Sequence, residues 1–186
     1  SPAGTEMLKE LDIFKTGGIV ENEIEIIHSR PIIRKALDNL NFDVSYFLVG
    51  DAVTSELYYP EIPFRVKYDT LLPEMFGLVF ELDFLETGEI KLGYDEKKES
   101  IRFNEIIETP YGQFRIVPDL SFEQNLFLDK KFVNRNYLFK INSKEGLVEQ
   151  FYEDLNIAAV NKMATVIELS IKTSVPEKGR VFLDQV

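Results

Sequence analysis

The run Leu78-Val-Phe-Glu-Leu-Asp-Phe-Leu-Glu-Thr-Gly-Glu-Ile-Lys-Leu-Gly-Tyr94 decides how this chain is read. Two β-prone stretches, Leu78 to Leu85 and Glu89 to Tyr94, flank Glu86-Thr-Gly-Glu89, a good hairpin connection because its glycine can take the positive φ that tight turns demand. Similar short runs lie on either side: Val44 to Val49, Thr54 to Tyr59 and Phe64 to Tyr68 before it, Ile101 to Phe103 after it. Asp95-Glu-Lys-Lys-Glu-Ser100 between them reads as a charged turn, and Glu105 to Glu108 and Phe114 to Val117 add two short strands around Pro110-Tyr-Gly. From Asp43 to about Arg115 the expectation is therefore an antiparallel meander. Pro118 to Arg135 mixes Phe122, Leu126, Phe127, Leu128 and Phe132 with polar residues and is left unassigned.

Outward from that core the pattern becomes helical. Thr16-Gly-Gly-Ile looks like a turn, and Glu21 to Leu40 carries Ile24, Ile27, Ile33, Leu37 and Leu40 at helical spacing. Pro31 lacks an amide donor and disfavours helix in the residue before it, which leaves two short helices or one kinked one, with Ser29 capping the second segment. The last third alternates strand and helix. Tyr137 to Ile141 is a strand, Ser143 caps a helix with Leu147, Val148, Phe151, Tyr152 and Leu155 on one face, and Val166 to Ile171 is a strand with Ile167, Leu169 and Ile171 on its buried side. Ser174-Val-Pro-Glu177 reads as a capping box opening a helix near Val175, with Pro176 in its first turn. No capping signal closes that helix before Val186, so it reads as cut; the opening Ser1-Pro-Ala-Gly-Thr-Glu6 lacks the basic and apolar regions of a signal peptide. The expected fold class is α+β: one mixed or antiparallel sheet with helices packed on it, a β-rich meander inserted at about 54–132, and a truncated C-terminal helix, all in a single domain.

Composition narrows the functions. The chain has 186 residues, no cysteine, one histidine, 21 Lys and Arg against 32 Asp and Glu, and a formal charge of −11. Thiol nucleophiles, thiolate metal sites and disulfides are excluded, and so is any site needing two imidazoles. The negative balance repels phosphate backbones, so nucleic acid is not an expected partner. Uncharged stretches such as Val44 to Gly50 fall far short of the roughly 18 to 20 residues that cross a bilayer.

No catalytic set emerges. Phosphate-binding glycine patterns are missing, and Glu177-Lys-Gly-Arg180 lies inside a helix rather than after a strand. His28 would serve as a general base only if Glu25 or Asp38 oriented it, against the plainer reading of a boundary histidine. Glu81 with Asp83, and Glu105 with Glu108, would suit glycoside cleavage in principle but arise readily by chance among so many acids. The acidic clusters lack the order of a calcium loop, so no metal and no cofactor is expected. Tyr58, Tyr59, Tyr68, Tyr94 and Tyr111 would suit a sugar-stacking platform, the basis of an alternative reading as a carbohydrate-binding or surface adhesin module; with no tryptophan and more Phe than Tyr, core packing is the plainer role.

Two segments go further by likeness. Val20-Glu-Asn-Glu-Ile-Glu-Ile-Ile-His-Ser-Arg-Pro-Ile-Ile-Arg-Lys-Ala-Leu-Asp-Asn-Leu-Asn41, with Asp43-Val-Ser-Tyr-Phe47, resembles the N-terminal motif of the Wzz-like chain-length determinants, the polysaccharide co-polymerases of bacterial envelopes. Leu155-Asn-Ile-Ala, Ala164-Thr-Val-Ile-Glu-Leu-Ser-Ile-Lys and Val175-Pro-Glu-Lys-Gly resemble that family's later strand and the start of its long helix. The motif positions are Glu23, Ile24, Ser29, Arg30, Leu40, Glu168, Pro176 and Glu177, all structural rather than chemical. The likeness spans roughly residues 8 to 47 and 137 to 186 and is similar in particular to Bacteroidetes capsule co-polymerases fused to a cytoplasmic tyrosine autokinase. It implies a periplasmic domain of an inner-membrane protein, held by membrane helices outside these residues. It also implies a self-associating ring that works with the polymerase and export machinery to set polysaccharide chain length. Nothing in these residues matches the kinase, so no enzymatic activity is expected of them, and the 54–132 segment departs from the family's compact base domain.

Overall fold

The computed structural model describes residues 18–119, 122, 132–161 and 166–186. It is a mixed α+β chain with antiparallel sheets, divided into two compact units: residues 42–143 form one, and the segments on either side of them form the other. The meander expected at 54–132 lies inside the first.

In unit 42–143 the inner faces of two sheets share one core. Strands β1 (Val44–Val49), β2 (Thr54–Leu57), β4 (Val79–Phe84), β5 (Ile90–Tyr94), β6 (Lys97–Ile101) and β9 (Asn136–Ile141) build a six-stranded antiparallel sheet in the order β2-β1-β9-β4-β5-β6. Strands β3 (Phe64–Leu71), β7 (Ile107–Thr109) and β8 (Gly112–Pro118) form a second sheet in the order β3-β8-β7. The single meander is thus corrected twice. Phe64 and Val66 leave the main sheet to pair with β8, and the late strand β9 enters between β1 and β4.

Aromatic packing accounts for this arrangement. Tyr137, Phe139 and Ile141 occupy alternate positions of β9 and are buried, so a central place with neighbours on both sides hides most of their surface. The Phe80 and Phe139 rings stack with centroids 4.9 Å apart, and Phe114 of the second sheet meets both at 5.0 and 5.7 Å. Phe64, fully buried, sits edge-on to Tyr46, Phe84 and Tyr137 at 5.4, 5.7 and 5.9 Å. Burying each such side chain contributes about 1.5–3 kcal/mol. A polar latch supplements the rings: the Val66 N–H of edge strand β3 donates to the Tyr46 hydroxyl of β1 at 3.0 Å.

The turns follow local chemistry in part. Gly88, at φ +83°, completes the β4–β5 connection, where the Leu85 N–H donates to the Glu89 carbonyl. The charged turn expected over Asp95–Ser100 is shorter than that. Only Asp95 and Glu96 turn, both with positive φ, and Lys97 to Ile101 form strand β6 at the sheet edge. Its solvent-facing lysines and glutamate suit an edge that must not recruit another strand.

The other unit carries the helices. Helix α1 covers residues 18–27, so Gly18 and Ile19 are helical and not part of a turn; Thr16 and Gly17 lie outside the described residues. Helix α2 (Arg30–Asp38) follows a break at His28-Ser29, with Ser29 as N-cap in extended conformation, Pro31 in the first turn and Asn39 as C-cap. The proline break therefore yields two helices, though the Ser29 side chain makes no capping hydrogen bond. Helix α3 (Lys144–Asp154) buries Leu147, Val148 and Phe151 and runs directly into β10 (Leu155–Ala159), which pairs antiparallel with β11 (Ile167–Ile171). Leu155, assigned from the sequence to the helix face, is the first residue of that strand. Helix α4 (Pro176–Leu183) places Phe182 against Phe151 at 4.4 Å. The helix starts one residue later than a Ser174 cap would place it: the N-cap is Val175, whose N–H donates to Thr173 Oγ1 at 3.0 Å, and Glu177 pairs with Arg180.

Candidate functional site

Within the helical unit, α2 and α3 meet along a seam of charge. Arg30, Arg34 and Asp38 recur one turn apart on α2, and on α3 they face Glu149 at 2.7 Å, Glu145 at 3.3 Å and Lys144 at 2.7 Å. The order fits antiparallel helices. Arg30 forms a forked pair with Glu149, and its guanidinium also lies 4.0 Å from the centre of the Tyr152 ring. The hydrogen bond from Arg30 holds the Glu149 carboxyl below the usual glutamate range. Glu145 is likewise lowered, first by a hydrogen bond from its own backbone and then by one from Arg34.

His28 belongs to this seam and not to a catalytic pair. Its ring stacks on Tyr152 with centroids 4.4 Å apart, and Nε2 lies 3.0 Å from the Tyr152 carbonyl oxygen. A carbonyl only accepts, so Nε2 carries the proton and donates. Neither Glu25 nor Asp38 orients the ring: its ring partners are both from Tyr152, and Asp38 pairs with Lys144.

The family-motif positions take structural places. Glu23 is exposed on α1 and Ile24 is half-buried there; Ser29 and Arg30 begin α2; Leu40 donates its N–H to the Leu37 carbonyl just past that helix. Glu168 is exposed on β11, opposite Ala158, and Pro176 and Glu177 open α4. Of these, Arg30 pairs across to another helix through its side chain, and Glu177 is joined to Arg180 at 2.7 Å within its own helix.

The two carboxylate pairs take different places. Glu81 and Asp83 share the outer face of β4, where Glu81 lies 3.7 Å from Lys98. Partial burial first and the Glu81 charge second raise the Asp83 pKa. Glu105 instead accepts the Arg102 backbone N–H at 2.9 Å, closing a local turn, and Glu108 accepts from Gln113 at 3.1 Å. The tyrosines are dispersed too: Tyr68, Tyr94 and Tyr111 pack against the core, Tyr58 meets Phe42 edge-on, and only Tyr59 among the five is exposed. Among the described residues no cluster of three or more His, Asp or Glu is placed to hold a metal ion, and no helix is long and apolar enough to cross a membrane.

One cavity stands out in unit 42–143. It is an open pocket of about 400 Å³ beside strands β3 and β8, lined by Asp43, Val66, Lys67, Tyr68, Asp69, Ile106, Gln113, Phe114 and Arg115. Its size falls within the range of small-ligand pockets. The Tyr68 hydroxyl donates to Asp43 Oδ2 at 2.8 Å, and burial followed by this hydrogen bond raises the phenol's pKa well above its ordinary value. Lys67 and Arg115 are direct cross-strand partners. Both side chains are exposed, and neither is ion-paired among the described residues. Sequence reasoning missed them because the two lie far apart in the chain and neither strand announces its partner. No protein-family model matches the chain, and no curated protein matches it.

Proposed function

We propose that this chain is an extracytoplasmic domain of a Wzz-like polysaccharide co-polymerase. It lies on the periplasmic side of a bacterial inner membrane and acts by shape and self-association, not by catalysis. The observation that supports this reading is the folding together of the two resembling segments. Of the two resembling segments, residues 18–41 and 144–186 fall in one compact unit joined through the α2–α3 seam, and their remaining residues, 43–47 and 137–143, meet in the other unit, where β1 pairs with β9. A fold in which the likeness mapped to two unrelated places would have argued against a shared origin. On this reading the full-length protein associates with copies of itself and with the polymerase and export machinery, and it sets the length of a capsular or exopolysaccharide.

The test is genetic and biochemical. Deleting the gene in its source organism and resolving surface polysaccharide by gel electrophoresis should change the distribution of chain lengths, restored by the intact gene. An unchanged distribution refutes the reading. A second reading, a carbohydrate-binding module, is favoured by the pocket beside β3 and β8; it predicts glycan binding by the isolated chain and unaltered polymer length.

A further inference from the structure

We infer that the pocket beside β3 and β8 binds a carboxylate-bearing sugar, with Lys67 and Arg115 as the anion-recognising pair. Like charges placed directly opposite one another on a sheet repel and destabilise it. Here two cations hold such a position in a protein of net charge −11, and no carboxylate among the described residues is ion-paired to either. Arg65, two residues before Lys67 on the same strand, does have a partner, Asp119 at 3.1 Å. A bound anion bridging Lys67 and Arg115 removes the repulsion, and the guanidinium offers the forked donor geometry that suits a carboxylate.

The rest of the lining matches hydroxyls. Asp43 and Asp69 offer acceptor oxygens, and Gln113, whose Nε2 donates to Glu108, offers its side-chain carbonyl, beside the apolar Ile106. Two cations for one carboxylate and several acceptors for neighbouring hydroxyls describe a uronic acid unit better than they describe a simple carboxylate. The Tyr68–Asp43 hydrogen bond fixes one acceptor in place before any ligand arrives. The choice of a sugar rests on the polysaccharide reading above; the preference for an anion rests on the cation pair alone.

Isothermal titration of the chain with tetragalacturonate, maltotetraose and sodium acetate separates these elements. Tetragalacturonate is expected to bind and to weaken with added salt, while maltotetraose and acetate bind at least about tenfold more weakly. The K67Q/R115Q double variant should lose about tenfold or more in affinity for tetragalacturonate, as expected when hydrogen bonds to a charged group are removed. The charge-preserving K67R/R115K variant should retain binding. Both variants alter exposed side chains, and circular dichroism is the check that they fold. Equal affinity for the neutral oligosaccharide, equal affinity for acetate, no binding of tetragalacturonate at millimolar concentration, or undiminished binding by K67Q/R115Q would each overturn the proposal. The chain-length assay scores the co-polymerase reading independently of all four outcomes.

Discussion

Replacing Tyr46 with Phe removes one oxygen atom and tests how the two sheets of unit 42–143 are held in register. The hydroxyl accepts the Val66 N–H at 3.0 Å, and both residues are buried. Phenylalanine preserves the ring and its edge contact with Phe64. What remains is a buried amide on an edge strand with no acceptor, which costs about 1–3 kcal/mol. Taking the middle of that range, about 2 kcal/mol, thermal unfolding should move down by about 4–8 °C in a chain of this size. Urea unfolding followed by far-UV circular dichroism should show a lower midpoint at unchanged slope. Amide exchange read by NMR should show faster exchange at Val66 than at its β3 neighbours.

The same variant has a signature in alkali. Burial raises the Tyr46 pKa to about 12 from an ordinary value of 10.0, so the folded state holds its phenolic proton where the unfolded chain releases it. That contribution is present in full below pH 10 and is lost as pH climbs toward 12, with about 1 kcal/mol gone at pH 11. Tyr137, raised to about 12 by burial, adds a similar alkaline loss that persists in the variant. Tyr46→Phe should therefore flatten the alkaline stability profile without abolishing its slope. A variant within 0.5 kcal/mol of wild type on the scale of a single hydrogen bond, with unchanged Val66 exchange, would refute the latch.

Other expectations follow from the same structure. Phe139→Ala, which empties the site stacked on Phe80, should cost about 3–5 kcal/mol in urea unfolding. Gly112→Ala should destabilise the β7–β8 turn, because φ is +139° and a Cβ would lie 2.8 Å from Leu71 Cδ2 and 3.0 Å from the Thr70 carbonyl oxygen; a melting point at or above wild type would contradict this. Glu145 and Glu149 are held below the ordinary glutamate range, so the stabilisation they bring is present above that range and is lost as pH falls through their lowered values; Arg30→Ala should reduce this acid dependence, measured by unfolding between pH 3 and 6 on the scale of ordinary carboxylate titration. On the co-polymerase reading proposed above, these 186 residues expressed alone should behave as a monomer or weak oligomer by light scattering, and a stable ring would contradict that expectation.

What the residues reveal in sequence and what they conceal divides along physical lines. The β4–β5 hairpin is legible because Gly88 and its neighbours encode a turn locally, and β11 is legible because Ile167, Leu169 and Ile171 alternate with Glu168 and Ser170. The α1–α2 break is legible because Pro31 acts on its own neighbours. Pairing between distant strands has no such local code. Nothing in Tyr137-Leu-Phe-Lys-Ile141 says that it will separate β1 from β4, because its buried face would suit any apolar neighbour. Strand β6 is hidden for the opposite reason: Lys97, Lys98 and Glu99 resemble a wet turn, yet at a sheet edge charge is what protects the backbone from further pairing. The start of α4 shows how little a local code fixes a boundary: the N-cap is Val175, with its N–H on Thr173 Oγ1, and the helix begins one residue later than a serine cap at 174 would place it.

The candidate site divides in the same way. Tyr68 was visible as an aromatic, but its hydroxyl serves to fix Asp43, and Lys67 and Arg115 acquire meaning only from the β3–β8 register. Each cation alone is an ordinary surface residue. As cross-strand partners they create a local cost that the fold leaves in place, while Arg65 on the same strand is matched with Asp119. If that cost is the requirement of an anion site, the ligand should stabilise the unit as well as bind to it. With free ligand at a hundred times its dissociation constant, unfolding should cost about 2.7 kcal/mol more. The empty K67Q/R115Q variant, relieved of the repulsion, should be at least as stable as wild type. Losing binding while keeping or gaining stability is the combination that a recognition pair predicts and that a pair of structural cations does not.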